Sequence, residues 1–140
     1  MTIDRSIVGQ EFDRTVFPPV TAEDIRTYAS AYGETNPRWT TAADAELTAP
    51  PTFALCLRGN HFMPKQLPRN LGRSGFDAGK DIEMGVAVRP GDVLTGSSTV
   101  HDVYEKTGRS GTMTFIVFRT TVTNQRGEAV AVVDQKMMFR

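Results

Sequence analysis

At 140 residues the chain is long enough for one domain with its own core. Sixteen basic residues balance sixteen acidic ones, and the formal net charge of zero excludes the basic footprint of a nucleic-acid or anionic-membrane binder. A single cysteine, Cys56, excludes an internal disulfide, and no stretch approaches the ~20 apolar residues of a membrane span. The first residues, MTIDRSIVGQEF, lack the apolar centre of a signal peptide. The expectation is one soluble, cytoplasmic domain over residues 1–140 in a reducing compartment.

Glu11 to Phe17 can supply a first strand. Thr21 is placed to cap a helix by accepting from the Asp24 amide, and Ile25, Tyr28, Ala29 and Tyr32 then recur at helical spacing along one buried face. Gly33 suits the C-terminal stop. Pro50-Pro51 opens a second helical stretch, where a missing proline amide costs nothing in the first turn. Thr52 to Leu57 is apolar nearly all round, which predicts an enclosed helix ending between Gly59 and Pro64. Residues 72–79, rich in glycine, read as the most loop-like piece.

From Asp81 the period is two. Ile82, Met84, Val86 and Val88 alternate with Asp81, Glu83, Gly85 and Ala87, predicting a half-buried strand that ends at Arg89-Pro90-Gly91-Asp92. Further strands follow over 93–106, 112–123 and 128–139, joined by turns at 107–111 and 124–127. Strands and helices do not alternate, so the sheet should be antiparallel. The fold class is α+β: a long antiparallel sheet wrapped around one central helix.

Four stretches, GETNPRW (Gly33–Trp39), TAPPTFALCL (Thr48–Leu57), VRPGDVLTG (Val88–Gly96) and YEKTGRSGTMTFIVFRTTVTNQRGE (Tyr104–Glu128), resemble the MaoC-like hydratases and dehydratases, especially their N-terminal, FAS1-like dehydratase type, and the arrangement of helix and sheet is similar to the hot-dog fold of that family. They occur in the family's order and cover most of the chain. The resemblance implies a single hot-dog fold and a substrate that is a coenzyme A or acyl-carrier-protein thioester, with no cofactor and no metal. In the family, an aspartate and a histidine on the first loop hold a water and move its protons, and backbone amides at the start of the central helix polarise the thioester carbonyl.

Carried over residue by residue, the pattern breaks where protons would move. Glu34 stands at the aspartate position and Trp39 at the histidine position, while Asn36, the family's holder of the catalytic water, is kept. An imidazole titrates near neutrality, whereas an indole only donates one hydrogen bond. Active members read His-Gly-Met at the start of the central helix. Pro50-Pro51-Thr52-Phe53 stands here, leaving only the Thr52 and Phe53 amides to meet an enolate-like oxygen. His61, on the far end of the same helix, is the remaining candidate proton donor. No residue is therefore assigned as catalytic, and Glu34, Asn36, Trp39, Thr52, Phe53 and His61 are assigned to substrate binding.

Each has a plain structural reading as well. Glu34 can be a solvated residue at a helix end, Asn36 before Pro37 a turn former, and Trp39 a filler of the histidine's space. His61 and His101 can be structural histidines, and Cys56 a small core residue. Arg58, Lys65, Arg69 and Arg73 can meet coenzyme A phosphates or be scattered surface charge. Gly72–Gly75 (GRSG) lacks the lysine and setting of a phosphate loop.

The resemblance implies an unequal pair. This chain would be the substrate-shaping, non-catalytic subunit of an (R)-specific enoyl-thioester hydratase or 3-hydroxyacyl dehydratase, beside a MaoC-like chain bearing the Asp/His dyad. The alternatives are a self-sufficient homodimeric hydratase using Glu34, and a non-enzymatic acyl-thioester binder or scaffold.

Overall fold

The computed structural model describes residues 3–68 and 71–140. Among these, five strands form one antiparallel sheet: β1 Glu11–Val16, β2 Gly75–Met84, β3 Thr95–Gly108, β4 Gly111–Thr123 and β5 Ala129–Phe139, in the order β1-β3-β4-β5-β2. β3, β4 and β5 make a meander through tight turns, and β1 and β2 close its two sides. Register shifts interrupt the ladders at Glu11/Asp13, Asp77/Gly79, Val100/Asp102 and Val122/Thr123. Each inserts local twist, which curls the sheet around what it covers.

The first helix, α1 (Ala22–Ala31), forms as its sequence dictates. The Thr21 hydroxyl accepts from the Asp24 amide at 3.0 Å, and the Asp24 carboxylate accepts from the Thr21 amide at 3.0 Å. This reciprocal box satisfies two otherwise orphaned donors. Ile25 and Ala29 are fully buried, but Tyr32 is 71% exposed, because the helix ends at Ala31 and turns its last aromatic outward. Gly33 follows at φ 69°, a left-handed conformation that a side chain would strain.

The central stretch differs from the expected helix. Pro51–Cys56 is a short 3₁₀ segment in which the Phe53 amide reaches the Pro50 carbonyl at 2.9 Å. Phe53 and Ala54 are buried, whereas Thr52 and Cys56 face outward. Pro50 and Pro51 stand at the N-cap and the first position, where their missing amides have no intrahelical partner to lose. At the other end the chain leaves helical geometry at Leu57. The stretch is thus a two-sided plug under the sheet.

The strand expected over 81–88 begins six residues earlier and stops at Met84. Residues 75–79, which read as loop, belong to it: glycines are tolerated because β2 is an edge strand paired only to β5, and Gly79 sits at φ 116° beside the Asp77/Gly79 shift. Pairing continues past the strand through the Gly85 and Val86 amides, to the Val130 and Ala129 carbonyls. Met84 and Val86 are nonetheless 56% and 40% exposed.

The core falls into two clusters. Val20, Ile25, Leu47, Phe53, Leu94 and Val122 pack under α1, and Ile3, Ile7, Leu67, Val100, Ile116 and Phe118 under the other end of the sheet. No helix among the described residues is long and apolar enough to cross a membrane.

Candidate functional site

The Gly33–Trp39 loop is held by local bonds. The Glu34 amide donates to the Ala29 carbonyl at 3.0 Å, and Asn36 caps a four-residue helix, α2 (Pro37–Thr40), by accepting from the Arg38 amide at 3.1 Å. The Asn36 side-chain oxygen is therefore occupied in shaping its own turn. Glu34 is half-buried but borders neither of the two cavities described below.

A cavity of 320 Å³ lies between this loop and the end of β2. Trp39 lines it together with Pro50, Phe53, Met84, Val86 and Val88. Thr52 turns away toward α1, where its hydroxyl meets the Tyr28 hydroxyl at 2.8 Å, with the Tyr28 ring edge-on to Phe53. Of the two amides expected to face a thioester oxygen, that of Phe53 is already bonded to Pro50, leaving Thr52. His101 sits exposed at the Val100/Asp102 shift. Cys56 is exposed as a residue, but partial desolvation of its thiol pushes the pKa up and the sulfur donates to the Phe53 carbonyl, so the group is a poor nucleophile. Arg58 borders the larger cavity, Lys65 and Arg73 border neither, and Arg69 lies outside the described residues.

The larger cavity, 430 Å³, opens between the stretch after the 3₁₀ segment and the inner face of the sheet. Its wall is mostly carbon, from Phe12, Leu57, Phe62, Phe118, Val133 and Met137. His61 stands in it, tied to a carboxylate that sequence reasoning missed. Asp13 Oδ1 accepts from the His61 backbone amide and meets His61 Nδ1, both at 3.0 Å, while Oδ2 accepts from the Thr15 hydroxyl at 2.7 Å. The Asp13 side chain is only 3% exposed, and that of His61 50%. Burial works to raise the Asp13 pKa, but the bonds from Thr15 and from the His61 ring and amide outweigh it and hold the carboxyl below its ordinary value. Asp13 is thus an acceptor only, and Nδ1 must carry the ring proton.

The same clamp fixes the chain on either side. The Asn60 amide donates to Thr15 Oγ1 at 3.1 Å, and a methyl on Gly59 would run into the Asp13 carboxylate. Nothing in the sequence announced this pair. Its members are 48 positions apart, and the register shift at Phe12 breaks the alternation that would have assigned Asp13 a face. Among the described residues, no group of three or more histidine, cysteine, aspartate or glutamate side chains is placed to hold a metal.

The curled five-stranded sheet over a short central plug is the hot-dog fold, shared with solved MaoC-like dehydratases. A MaoC-like dehydratase from Rhodospirillum rubrum superposes with a TM-score of 0.67 over 94% of this chain and 91% of that one, at 22% identity. One chain of the C-terminally truncated HadBC (3R-hydroxyacyl-ACP dehydratase) complex from Mycobacterium tuberculosis gives 0.66 over 94% and 96%, at 20% identity. Residues 6–133 match the FAS1-like dehydratase domain region, and the chain belongs to that family. A UPF0336 protein of Streptomyces coelicolor is 29% identical over the whole of this chain and 97% of its own length.

Proposed function

We propose that this chain is the substrate-shaping, non-catalytic subunit of an (R)-specific enoyl-thioester hydratase or 3-hydroxyacyl-thioester dehydratase, working beside a MaoC-like chain that carries the Asp/His dyad. The observation that carries this reading is the Gly33–Trp39 loop. An indole stands where the family has an imidazole, Asn36 is spent on capping α2, and Glu34 lies away from both cavities. Adding water to an enoyl thioester needs a group that takes a proton from oxygen and one that gives a proton to carbon. The loop retains the shape without that pair. The Phe53 amide, bonded to Pro50, points the same way, because it removes a donor from the place where the thioester oxygen would gather charge.

Partnership has its own support. Among the described residues the outer edge of β2 has no strand partner, and it carries exposed Phe76 and Met84. Such an edge is a template for strand addition unless something covers it. HadBC, which shares the fold, is a complex of two kinds of chain. The test is a crotonyl-CoA hydration assay on the purified chain alone and then with a MaoC-like chain bearing an intact dyad. Little turnover alone and strong turnover together is the expected result. Vigorous hydration by the single chain, abolished by Glu34→Ala, would instead establish the self-sufficient homodimer. Acyl-thioester binding that never raises the partner's turnover would leave a binder or scaffold.

A further inference from the structure

We propose that residues 58–62 form a gate over the larger cavity, which opens by itself while the sheet stays folded, and that the Asp13 carboxylate and the Thr15 hydroxyl are its latch. This goes beyond the function proposed above and does not depend on what the cavity binds. The span bridges the two core clusters. Leu57 packs on the cluster under α1, and Met63 on the cluster under the other end of the sheet. The five residues between them are all exposed, and none belongs to either cluster. Four of the five, Arg58, Gly59, His61 and Phe62, nevertheless line the cavity, while Ser98 and Phe118 line it from the sheet.

A span that buries no apolar side chain is held by its hydrogen bonds. Among the described residues, 58–62 make no backbone–backbone hydrogen bond. Three bonds onto side chains of β1 hold the span instead. The Asn60 amide donates to Thr15 Oγ1 at 3.1 Å, and the amide and the Nδ1 of His61 meet Asp13 Oδ1, both at 3.0 Å. The Thr15 hydroxyl in turn donates to Asp13 Oδ2, so the two side chains act as one catch. The sheet beneath is different in kind, because β4 is paired along its length on both sides, to β3 and to β5. A segment with few bonds and no buried apolar contact opens far more often than a strand held in that way. Each opening lifts one wall from the cavity, so the latch sets how fast any occupant enters or leaves.

Amide hydrogen exchange of the full chain, read residue by residue over a urea series, tests this. In the wild type the His61 amide should exchange at least about tenfold faster than that of Phe118, and low urea should speed Phe118 alone, because local opening exposes little surface. Thr15→Val removes the hydroxyl bonds of the latch but leaves the His61 amide its own bond to Asp13, and it should speed that amide about tenfold. Val122→Ala, in the core under α1, should speed Phe118 and leave His61 unchanged. Access is read separately. In a Cys56→Ala background, Ser98→Cys places a thiol on the sheet wall of the cavity, and its labelling by dithionitrobenzoate should quicken about tenfold when Thr15→Val is added. If His61 exchanges only together with Phe118, or responds to Val122→Ala, the span has no opening of its own and the proposal falls. If exchange behaves as expected but labelling does not change, the span moves without gating the cavity, and the proposal falls as well.

Discussion

Replacing Asp13 by alanine tests the clamp at its centre. The carboxylate receives three hydrogen bonds, from the Thr15 hydroxyl and from the ring and the amide of His61, and its side chain is 3% exposed. Bonds to a charged acceptor contribute roughly 1.5–3 kcal/mol each, but they share one group, and water can reach the half-exposed His61 once the carboxylate is gone. A net loss of about 2 kcal/mol is expected, which corresponds to a fall in melting temperature on the order of 8 °C for a chain of this size. The pH dependence supplies a second check. The folded-state pKa of Asp13 is depressed, so its contribution is fully present above the unfolded value, near 3.8, and is lost as pH falls through the folded value. Urea unfolding of the wild type and of Asp13→Ala at a series of pH values should give a gap that is full near neutrality and shrinks in acid. Asp44→Ala, which removes only an exposed ion pair with Arg26, should stay within about 0.5 kcal/mol of wild type throughout. A gap below that size at neutral pH, or one unchanged in acid, would refute the account of the clamp.

Two further outcomes follow from the backbone and the sheet edge. Gly33→Ala forces a methyl into a left-handed conformation at φ 69°, with nothing within 4 Å to clash, so the loss should be about 1 kcal/mol in urea unfolding and purely conformational. Phe76→Glu with Met84→Glu places charge on the exposed side chains of the β2 edge. It should weaken association with a partner chain about tenfold or more in sedimentation while changing the isolated chain's melting little, and unchanged association would mean another surface makes the contact.

The parts of the fold that sequence made legible are those governed by neighbours a few residues apart. The box at Thr21 and Asp24 and the turn strands after Leu94 depend on spacing alone, and they formed within a few residues of expectation. β2 was misplaced because its glycines are a loop signal unless the strand lies at an edge, and edge position is decided by the whole sheet. The enclosed central helix is instead a six-residue 3₁₀ plug, and no residue of the apolar run marks its early exit at Leu57. The candidate site divides in the same way. Trp39 and Phe53 do share a cavity and His61 does line one, yet Glu34 and Asn36 join neither. Asp13, which decides what His61 can do, is set by tertiary contact across 48 positions and left no local trace.

The strand order also fixes when this protein can become itself. The meander of β3, β4 and β5 is stitched by brief reversals, whereas β1 must wait for β3 and β2 for β5, its register partner from Phe139 back to Ala131. Closing such wide loops is entropically costly until the receiving strand exists. The β3–β4 hairpin can therefore form first and receive β1, whereas β2 stays without a partner until β5 is laid down, so the β2–β5 side of the sheet closes last.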